Sequence, residues 1–334
     1  MRNRIAFLAV KGMPRAALAI ALCGLLAPNR AEAQRPMATG GRFSLEVEGY
    51  NVGFLRAIEG GVPVGEVVTG APGEDGFSEK HLGGVSYDDI VATVGMGMGK
   101  GMYEWLSSSF NGSGVPRKSG RVLVADFNGR AQSEQTFSNA FISAITIPTL
   151  DGSSKDAGYF TVRITPERVT FKKGAGQDIR AGLGAKQKAW LTSNFRLELG
   201  DLPTSRVARI DSFTITRKVL QAAGGAERAV TKMPAALEIP NLKLSISMAD
   251  LAQWEQWRDS FLIQGNNTDA NEKAGAIVFL GPDMKEELGR LTLDRCGLVR
   301  LAPDRLESNS ERIARFTVEL YCQKMGLSLK DADQ

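Results

Sequence analysis

The segment RVLVADFNG at residues 121–129 opens the stretch that decides the fold, which runs on to Phe171. Its alternating apolar residues predict a strand, and the Asn128-Gly129 pair predicts a hairpin turn after that strand. The stretch occurs twice: adding 156 to the numbering places the Phe-Thr-Val of 160–162 on the same three residues at 316–318. Spacing and strand pattern are kept while the polar residues differ, which indicates a shared scaffold without a shared reaction.

The part of the chain before this stretch is repeated as well, at an offset of 152 in the numbering. FSLEV at residues 43–47 aligns with FRLEL at 195–199, and Trp105 falls on Trp257. We call 152 the smaller offset and 156 the larger offset. One four-residue insertion after Trp105 reconciles them, so we predict a tandem duplication.

The predicted organisation follows from the two copies and the segments that flank them. It consists of a signal peptide at 1–33, an N-terminal arm at 34–41, a first domain at 42–172, a linker at 173–193, a second domain at 194–327 and a C-terminal tail at 328–334.

Each copy combines many short alternating segments with one helical segment in mid-domain. Because strands and helices do not alternate repeatedly, a parallel sheet is not expected. The pattern predicts a mainly β fold with one helix per domain, as an antiparallel barrel or sandwich. Residues 69–79 are rich in breakers and predict a long loop. The apolar stripes of the two helices predict core residues: Trp105, Phe110, Trp257 and Phe261.

Residues 1–33 have the three regions of a signal peptide. A basic start precedes a twelve-residue apolar run at 16–27, which is too short to span a membrane as a mature helix. An Ala-x-Ala site ends at Ala33 and predicts cleavage before Gln34. A secreted or periplasmic protein is therefore expected, without a mature transmembrane segment. A true start at Met37 is the alternative, and it would leave the protein in the cytoplasm or in a virion.

Cleavage changes the charge of the chain. The whole chain holds 41 Lys or Arg and 37 Asp or Glu, of which residues 1–33 contain five and one, so 36 of each remain after cleavage. A neutral chain exerts no long-range attraction on nucleic acid, and no nucleic-acid partner is expected.

Two cysteines, Cys296 and Cys322, remain after cleavage. In an exported protein such a pair is compatible with a disulfide, whereas two buried free thiols in adjacent strands are the alternative.

The sequence offers little material for catalysis or metal binding. His81 is the single histidine, and the second copy has no counterpart to it. Neither a nucleophile–histidine system nor a zinc site can be assembled from repeated residues, and no carboxylate pair recurs in both copies. We expect no enzymatic activity, no cofactor and no metal.

Several short motifs in fixed order resemble the contractile-phage tail tube protein family. They include FSLEVEG at 43–49, LGGV at 82–85, FSNAF at 137–141 and PTLD at 148–151. The second copy follows more loosely, as in RFTVEL at 315–320. The chain is also similar to the tube protein of type VI secretion.

The resemblance implies a barrel-like domain of two packed sheets with a flanking helix, in subunits that form six-fold rings stacked into a tube. It implies no catalytic residues. We therefore expect a structural protein whose partner is itself, as a trimer forming a pseudo-hexameric ring; other tail-like or envelope proteins are further candidate partners. The glycine-rich segment 95–101 departs from the charged strand end that is usual in the family.

The alternative function is an exported binding module for a cell-envelope protein or polysaccharide. Trp190 and Trp254 have no tryptophan equivalent in the other copy. Their exposure on one face would favour this alternative.

Overall fold

The structure is a computed structural model that describes residues 38–111, 114–180, 190–222, 230–304 and 313–330. The predicted signal peptide, its cleavage site between Ala33 and Gln34 and the alternative start at Met37 lie outside these residues. The first copy consists, in chain order, of β1 (Ala38–Val47), β2 (Tyr50–Asn51), β3 (Gly53–Gly60), β4 (Pro63–Pro72), β5 (Ser78–Tyr87), β6 (Ile90–Met98), α1 (Lys100–Asn111), β7 (Lys118–Asp126), β8 (Ala131–Ile147), β9 (Leu150–Asp151), β10 (Phe160–Thr165) and β11 (Arg168–Lys173).

The second copy follows a similar order, with β19 in the place of both β10 and β11. It consists of β12 (Phe195–Leu199), β13 (Val207–Ile210), β14 (Phe213–Ala222), β15 (Thr231–Glu238), β16 (Leu242–Ser247), a 3-10 turn (Met248–Asp250), α2 (Leu251–Arg258), a π turn (Asp259–Ile263), a second 3-10 turn (Asp269–Asn271), β17 (Lys273–Leu280), β18 (Glu287–Pro303) and β19 (Arg315–Leu329).

Strands of the two copies share sheets, and the pairings among the described residues are antiparallel. One sheet has the order β2-β1-β7-β8-β10-β6-β3, with β11 and the β14–β15 hairpin also joined to it through β8. The other has the order β12-β17-β18-β19-β16-β13-β9, and β4 with β5 forms a separate two-stranded sheet. The predicted mainly β fold with one helix per copy in a tandem duplication is confirmed.

Strand register reproduces the smaller offset of the repeat. Ile58 pairs with Ala92 across β3 and β6, and at the smaller offset Ile210 pairs with Leu244 across β13 and β16. The same pairs of equivalent residues are therefore formed within each copy.

The long strands β8 and β18 reproduce the larger offset. They have 17 residues each, and their first residues, Ala131 and Glu287, are related by the larger offset. A residue in the left-handed region bends each strand at the same place, Asn139 at φ 52° and Arg295 at φ 53°. The sequences have diverged, but the backbone path has not.

The core is continuous across both copies. Alternate residues of the strands point inward, and one cluster of buried apolar side chains contains residues of β6, β8 and α1 together with residues of β16, β18 and α2. All four predicted stripe residues are buried in this cluster: Trp105 (0% exposed), Phe110 (6%), Trp257 (8%) and Phe261 (3%).

Strands extend into the predicted arm, the predicted loop and the predicted tail. β1 begins at Ala38, inside the predicted arm, because Ala38 pairs with Asp126 of β7. β19 continues to Leu329, inside the predicted tail, and this leucine is buried. The loop predicted at 69–79 is wrong, since Thr69 pairs with Lys80 and only residues 73–77 connect β4 to β5. The proline at the end of β4 is tolerated there because the hairpin is an edge element.

Candidate functional site

The two copies are joined by strands, and this joint is the candidate functional site. The base of β14 adds to the end of β8, with Thr214 opposite Thr146 and Ile215 opposite Ile145. The two threonine hydroxyls are 2.8 Å apart, within hydrogen-bond distance. Beside them, β9 of the first copy adds to β13 of the second, where Leu150 pairs with Ile210. We call this contact between the copies the inner joint.

A second part of the inner joint lies at the end of α1. The Asn111 side chain donates its Nδ2–H to the carbonyl of Leu327 (2.7 Å) and accepts the Leu327 backbone N–H at its Oδ1 (2.8 Å). The Ser107 hydroxyl donates to the same carbonyl at 3.1 Å. The amide thus satisfies both backbone groups of a residue near the end of β19, as a neighbouring strand would do.

Two cations of the second copy reach into the first at this joint. Arg217 of β14 donates from Nη2 to the carbonyl of Ser109 (2.8 Å) near the end of α1, where a positive charge also suits the helix dipole. Lys232 donates from Nζ to the carbonyl of Tyr87 and lies 3.9 Å from Asp89. Burial lowers the pKa of both Arg217 and Lys232. These contacts anchor the β14–β15 hairpin onto the first copy.

An aromatic cluster also joins the two copies. Trp190, from the predicted linker, stacks on Phe160 of β10 with the ring centroids 5.4 Å apart. Phe279 of β17 meets both rings edge-on, at 5.1 Å from Trp190 and 5.5 Å from Phe160. The linker residue therefore packs between the copies, in a geometry that adds to plain area burial.

The β4–β5 hairpin of the first copy is the counterpart of the β14–β15 hairpin. Val64 pairs with Ser86, and at the smaller offset Thr216 pairs with Glu238. Among the described residues, however, β4 pairs only with β5, and it is exposed along its whole length. The exposed apolar side chains of this hairpin include Val64 (42%), Val67 (58%) and Phe77 (76%).

Two further positions differ in the same way between the copies. The end of β8 pairs with β14, and Ile145 and Ile147 there are inaccessible, whereas Pro303 at the matching end of β18 is exposed. Leu327 is 1% exposed beneath α1, whereas Phe171, its equivalent by the larger offset, is 53% exposed. At these two positions, the surface that is covered in one copy is exposed in the other.

The predicted cysteine pair lies inside the second copy. Cys296 and Cys322 face each other across β18 and β19, with their sulfur atoms 2.09 Å apart and both side chains buried. The equivalent residues of the first copy are Ala140 and Pro166.

A polar cluster lies beside the cysteines. The Tyr321 hydroxyl donates to Glu272 (2.6 Å), and Arg295 donates from Nε to the same carboxylate (2.9 Å). The tyrosine hydrogen bond, with the charge of Arg295, lowers the pKa of Glu272. Burial and this carboxylate raise the pKa of Tyr321 to about 12. The cluster is satisfied internally, which suits a structural role.

The single histidine stands apart from any metal-binding cluster in the described part of the chain. His81 lies in β5 with an exposed side chain, 3.4 Å from Glu79. Within the same residues, no three His, Cys, Asp or Glu side chains cluster closely enough to hold a metal ion. No helix among them is both long and apolar enough to cross a membrane.

Sequence reasoning missed the inner joint itself. The residues that build it, such as Asn111 and Arg217, carry no motif. The signal that could have found it is the contrast between aligned positions, for example Gly65 opposite Arg217, since a polar anchor present in only one copy points to a contact made by that copy alone.

Comparison with known proteins agrees with this architecture. The family model described as T4-like virus tail tube protein gp19 matches the chain twice, at residues 40–170 and 191–326. No match was found among curated proteins.

Three solved structures are similar to parts of the chain. A chain of the sheath–tube complex of the extracellular contractile injection system PVC, in its extended state, is 20% identical with a TM-score of 0.36, covering 42% of this chain and 94% of that one. A chain of the tube-terminating cap of the anti-feeding prophage is 21% identical with a TM-score of 0.37, covering 45% and 99%. Hcp1 from Flavobacterium johnsoniae is 14% identical with a TM-score of 0.25, covering 41% and 95%.

The two segments matched by the family model together span most of the chain, one in each copy. The chain therefore belongs to the family of the T4-like virus tail tube protein gp19.

Proposed function

We propose that this protein is an exported, non-enzymatic structural protein of the tail tube type that assembles with copies of itself into a ring. Membership of the tail tube family supports a structural, phage-tail-like role. One observation supports self-assembly above all. β4 and the end of β18 correspond to the two strands that pair in the inner joint, and both are exposed in the single chain.

In the proposed ring, β4 of one chain adds to the end of β18 of the next. The register of the inner joint carries over by the two offsets, so that Val62 takes the place of Thr214 and Ala302 the place of Thr146. This contact is heterologous, and heterologous contacts close into a ring when the rotation per subunit fits. Three chains would supply six domains and form a pseudo-hexameric ring.

Assembly of this kind also explains the exposed edge of the chain. An uncovered strand with apolar side chains invites uncontrolled pairing unless a defined partner covers it. β4 and the residue before it present Val62 (45% exposed), Val64 and Val68 (49%) in the monomer. A neighbouring chain that pairs with β4 would satisfy its open backbone groups and shield part of this apolar surface.

Export is the second part of the proposal. The signal-like segment 1–33 supports a secreted or periplasmic location, and a Cys296–Cys322 disulfide suits an oxidising compartment. Other tail-like or envelope proteins would then be further partners. A start at Met37 would instead leave the protein in the cytoplasm or in a virion.

The alternative of an exported binding module lacks the surface that would favour it. Trp190 is 1% exposed and Trp254 is 0% exposed, so neither ring forms part of an exposed aromatic face. Trp254 instead donates its indole N–H to the carbonyl of Pro203 at 3.1 Å.

Mass measurement of the mature chain in solution, with negative-stain imaging, tests the proposal. We expect trimers over a micromolar concentration range, and ring-shaped particles in the images. A strictly monomeric protein with dispersed bilobed particles would exclude ring assembly by this chain alone. Fractionation of the producing cells tests export separately, because it does not depend on the oligomeric state.

A further inference from the structure

Phe171 of the first copy lacks the cover that its equivalent in the second copy has. Phe171 pairs with Gln135 across β11 and β8, and at the larger offset Leu327 pairs with Leu291 across β19 and β18, so the two positions correspond in register. Leu327 is buried beneath α1, whereas Phe171 is 53% exposed. What the first copy lacks at this position is a helix end.

The second copy has an uncovered helix end of matching chemistry. Continued from Trp105 and Trp257 to the helix ends, the smaller offset places Leu262 and Ile263 where α1 has Phe110 and Asn111. These two residues lie in the π turn that follows α2, and their exposed fractions are 39% and 75%. An aliphatic pair and an aromatic ring, each uncovered at equivalent places, are complementary as apolar surfaces.

We propose that Leu262 and Ile263 of one chain pack against Phe171 of another, identical chain. This inference rests on the proposed ring and adds to it a second contact, separate from the pairing of β4 with β18. The direction agrees with the inner joint, in which the helix end of one copy covers a strand end of the other. We call the whole contact between chains, including the pairing of β4 with β18, the outer joint.

The outer joint differs chemically from the inner one. The inner joint is anchored by polar groups, with the Asn111 amide on the Leu327 backbone and Arg217 on the Ser109 carbonyl. By the smaller offset, Ile263 takes the place of Asn111 and Gly65 the place of Arg217. An isoleucine cannot satisfy the backbone of Leu327, and a glycine cannot reach the end of a helix. Within the inner joint, therefore, neither repeat can take the place of the other. The two kinds of joint consequently alternate around the ring.

Cysteine cross-linking between two singly substituted chains tests this contact. Mature chains with Phe171→Cys are mixed with mature chains with Ile263→Cys and oxidised mildly. The native Cys296 and Cys322 are buried and face each other across two strands, so they do not compete. We expect a covalent dimer that neither variant forms alone in comparable yield.

The matched control replaces Phe171→Cys by Phe127→Cys. Phe127 is another exposed phenylalanine of the first copy, and it lies in the turn after β7 (76% exposed). Since the outer joint does not include this turn, we expect no more covalent dimer than random collision produces.

Each outcome decides the matter. Trimers without a covalent dimer would overturn the contact of Leu262 and Ile263 with Phe171 but leave ring assembly intact. Neither trimers nor covalent dimers would overturn both. Equal yields of covalent dimer with Phe127→Cys and Phe171→Cys would show that the dimers form by random collision, or that something other than this helix end covers Phe171. Either result would also overturn the proposal. As a second readout, Ile263→Asp is expected to weaken trimer formation at least about tenfold while the thermal unfolding of the chain is unchanged.

Discussion

The β4–β5 and β14–β15 hairpins have the same register but opposite surroundings. In the second copy, Ile215 at the base of the hairpin is inaccessible because β14 adds to β8. In the first copy, the equivalent residue is Pro63, which is exposed. The difference arises from the neighbour that each hairpin has. A repeat within one chain thus shows what an interface looks like both with and without its partner.

The largest expected effect comes from placing a charge at the base of each hairpin. Ile215→Asp buries a carboxylate in the inner joint and should lower the free energy of unfolding by more than about 3 kcal/mol. Pro63→Asp should change it by no more than about 0.5 kcal/mol, because this site is exposed in the single chain. Denaturant unfolding of both variants measures the contrast.

The same Pro63→Asp variant should abolish trimers, since the proposed ring buries this position. Val68→Asp is the matched control, because Leu220, its equivalent on the joined hairpin, stays 55% exposed. Trimers that persist with Pro63→Asp would show that β4 is not the contact strand.

Removal of the cysteine pair tests a difference within the scaffold. The double variant Cys296→Ala, Cys322→Ala removes a link across 26 residues and should cost about 3 kcal/mol of unfolding free energy. A reductant should lower the stability of the native chain to the same extent and leave the variant unaffected. A native chain insensitive to reductant would indicate free thiols.

A smaller effect is expected at the helix ends. Asn111→Ala leaves the backbone N–H and carbonyl of Leu327 without their side-chain partner and should cost about 1–2 kcal/mol. Ile263→Ala, at the equivalent position, should change the stability of the single chain by less than about 0.5 kcal/mol. Thermal unfolding of dilute protein compares them, and an equal loss in both variants would contradict the assignment of Asn111 to the inner joint.

The smallest effect concerns pH and again separates the copies. Lys118 pairs with Ala140 as Lys273 pairs with Cys296, so β7 and β17 are related by 155, one less than the larger offset. The residue of the first copy that corresponds to Glu272 is therefore Arg117, which is not acidic.

The pKa of Glu272 is lowered in the folded chain, chiefly by the hydrogen bond from Tyr321. Its stabilisation is therefore present above the ordinary value of 4.5 and is lost as the pH falls through the lowered pKa. Glu272→Gln should flatten the acid limb of the stability curve below the ordinary value of 4.5, as measured by denaturant unfolding at each pH. An unchanged acid limb would contradict this role.

The sequence allowed the duplication, the β-rich class and the core stripes to be predicted, because all of these depend on periodic apolar positions. Residues 69–79 of the β4–β5 hairpin were mistaken for a loop, since they combine breakers with strand residues that have no buried face in the single chain. The burial of Trp190 was equally hidden, because its neighbours Phe160 and Phe279 come from different copies. Pairings between copies are set by surface complementarity, which leaves no period in the sequence.

The fusion of two copies also changes the assembly equilibrium. Because β14 reaches β8 within one polypeptide, each inner joint forms at the high effective concentration that a short tether provides. In the proposed ring, half of the contacts would exist before any chain meets another. The concentration of rings would then rise with the third power of the concentration of free chains. For unlinked single domains it would rise with the sixth power. Fusion would let rings form at dilutions where unlinked domains stay dispersed.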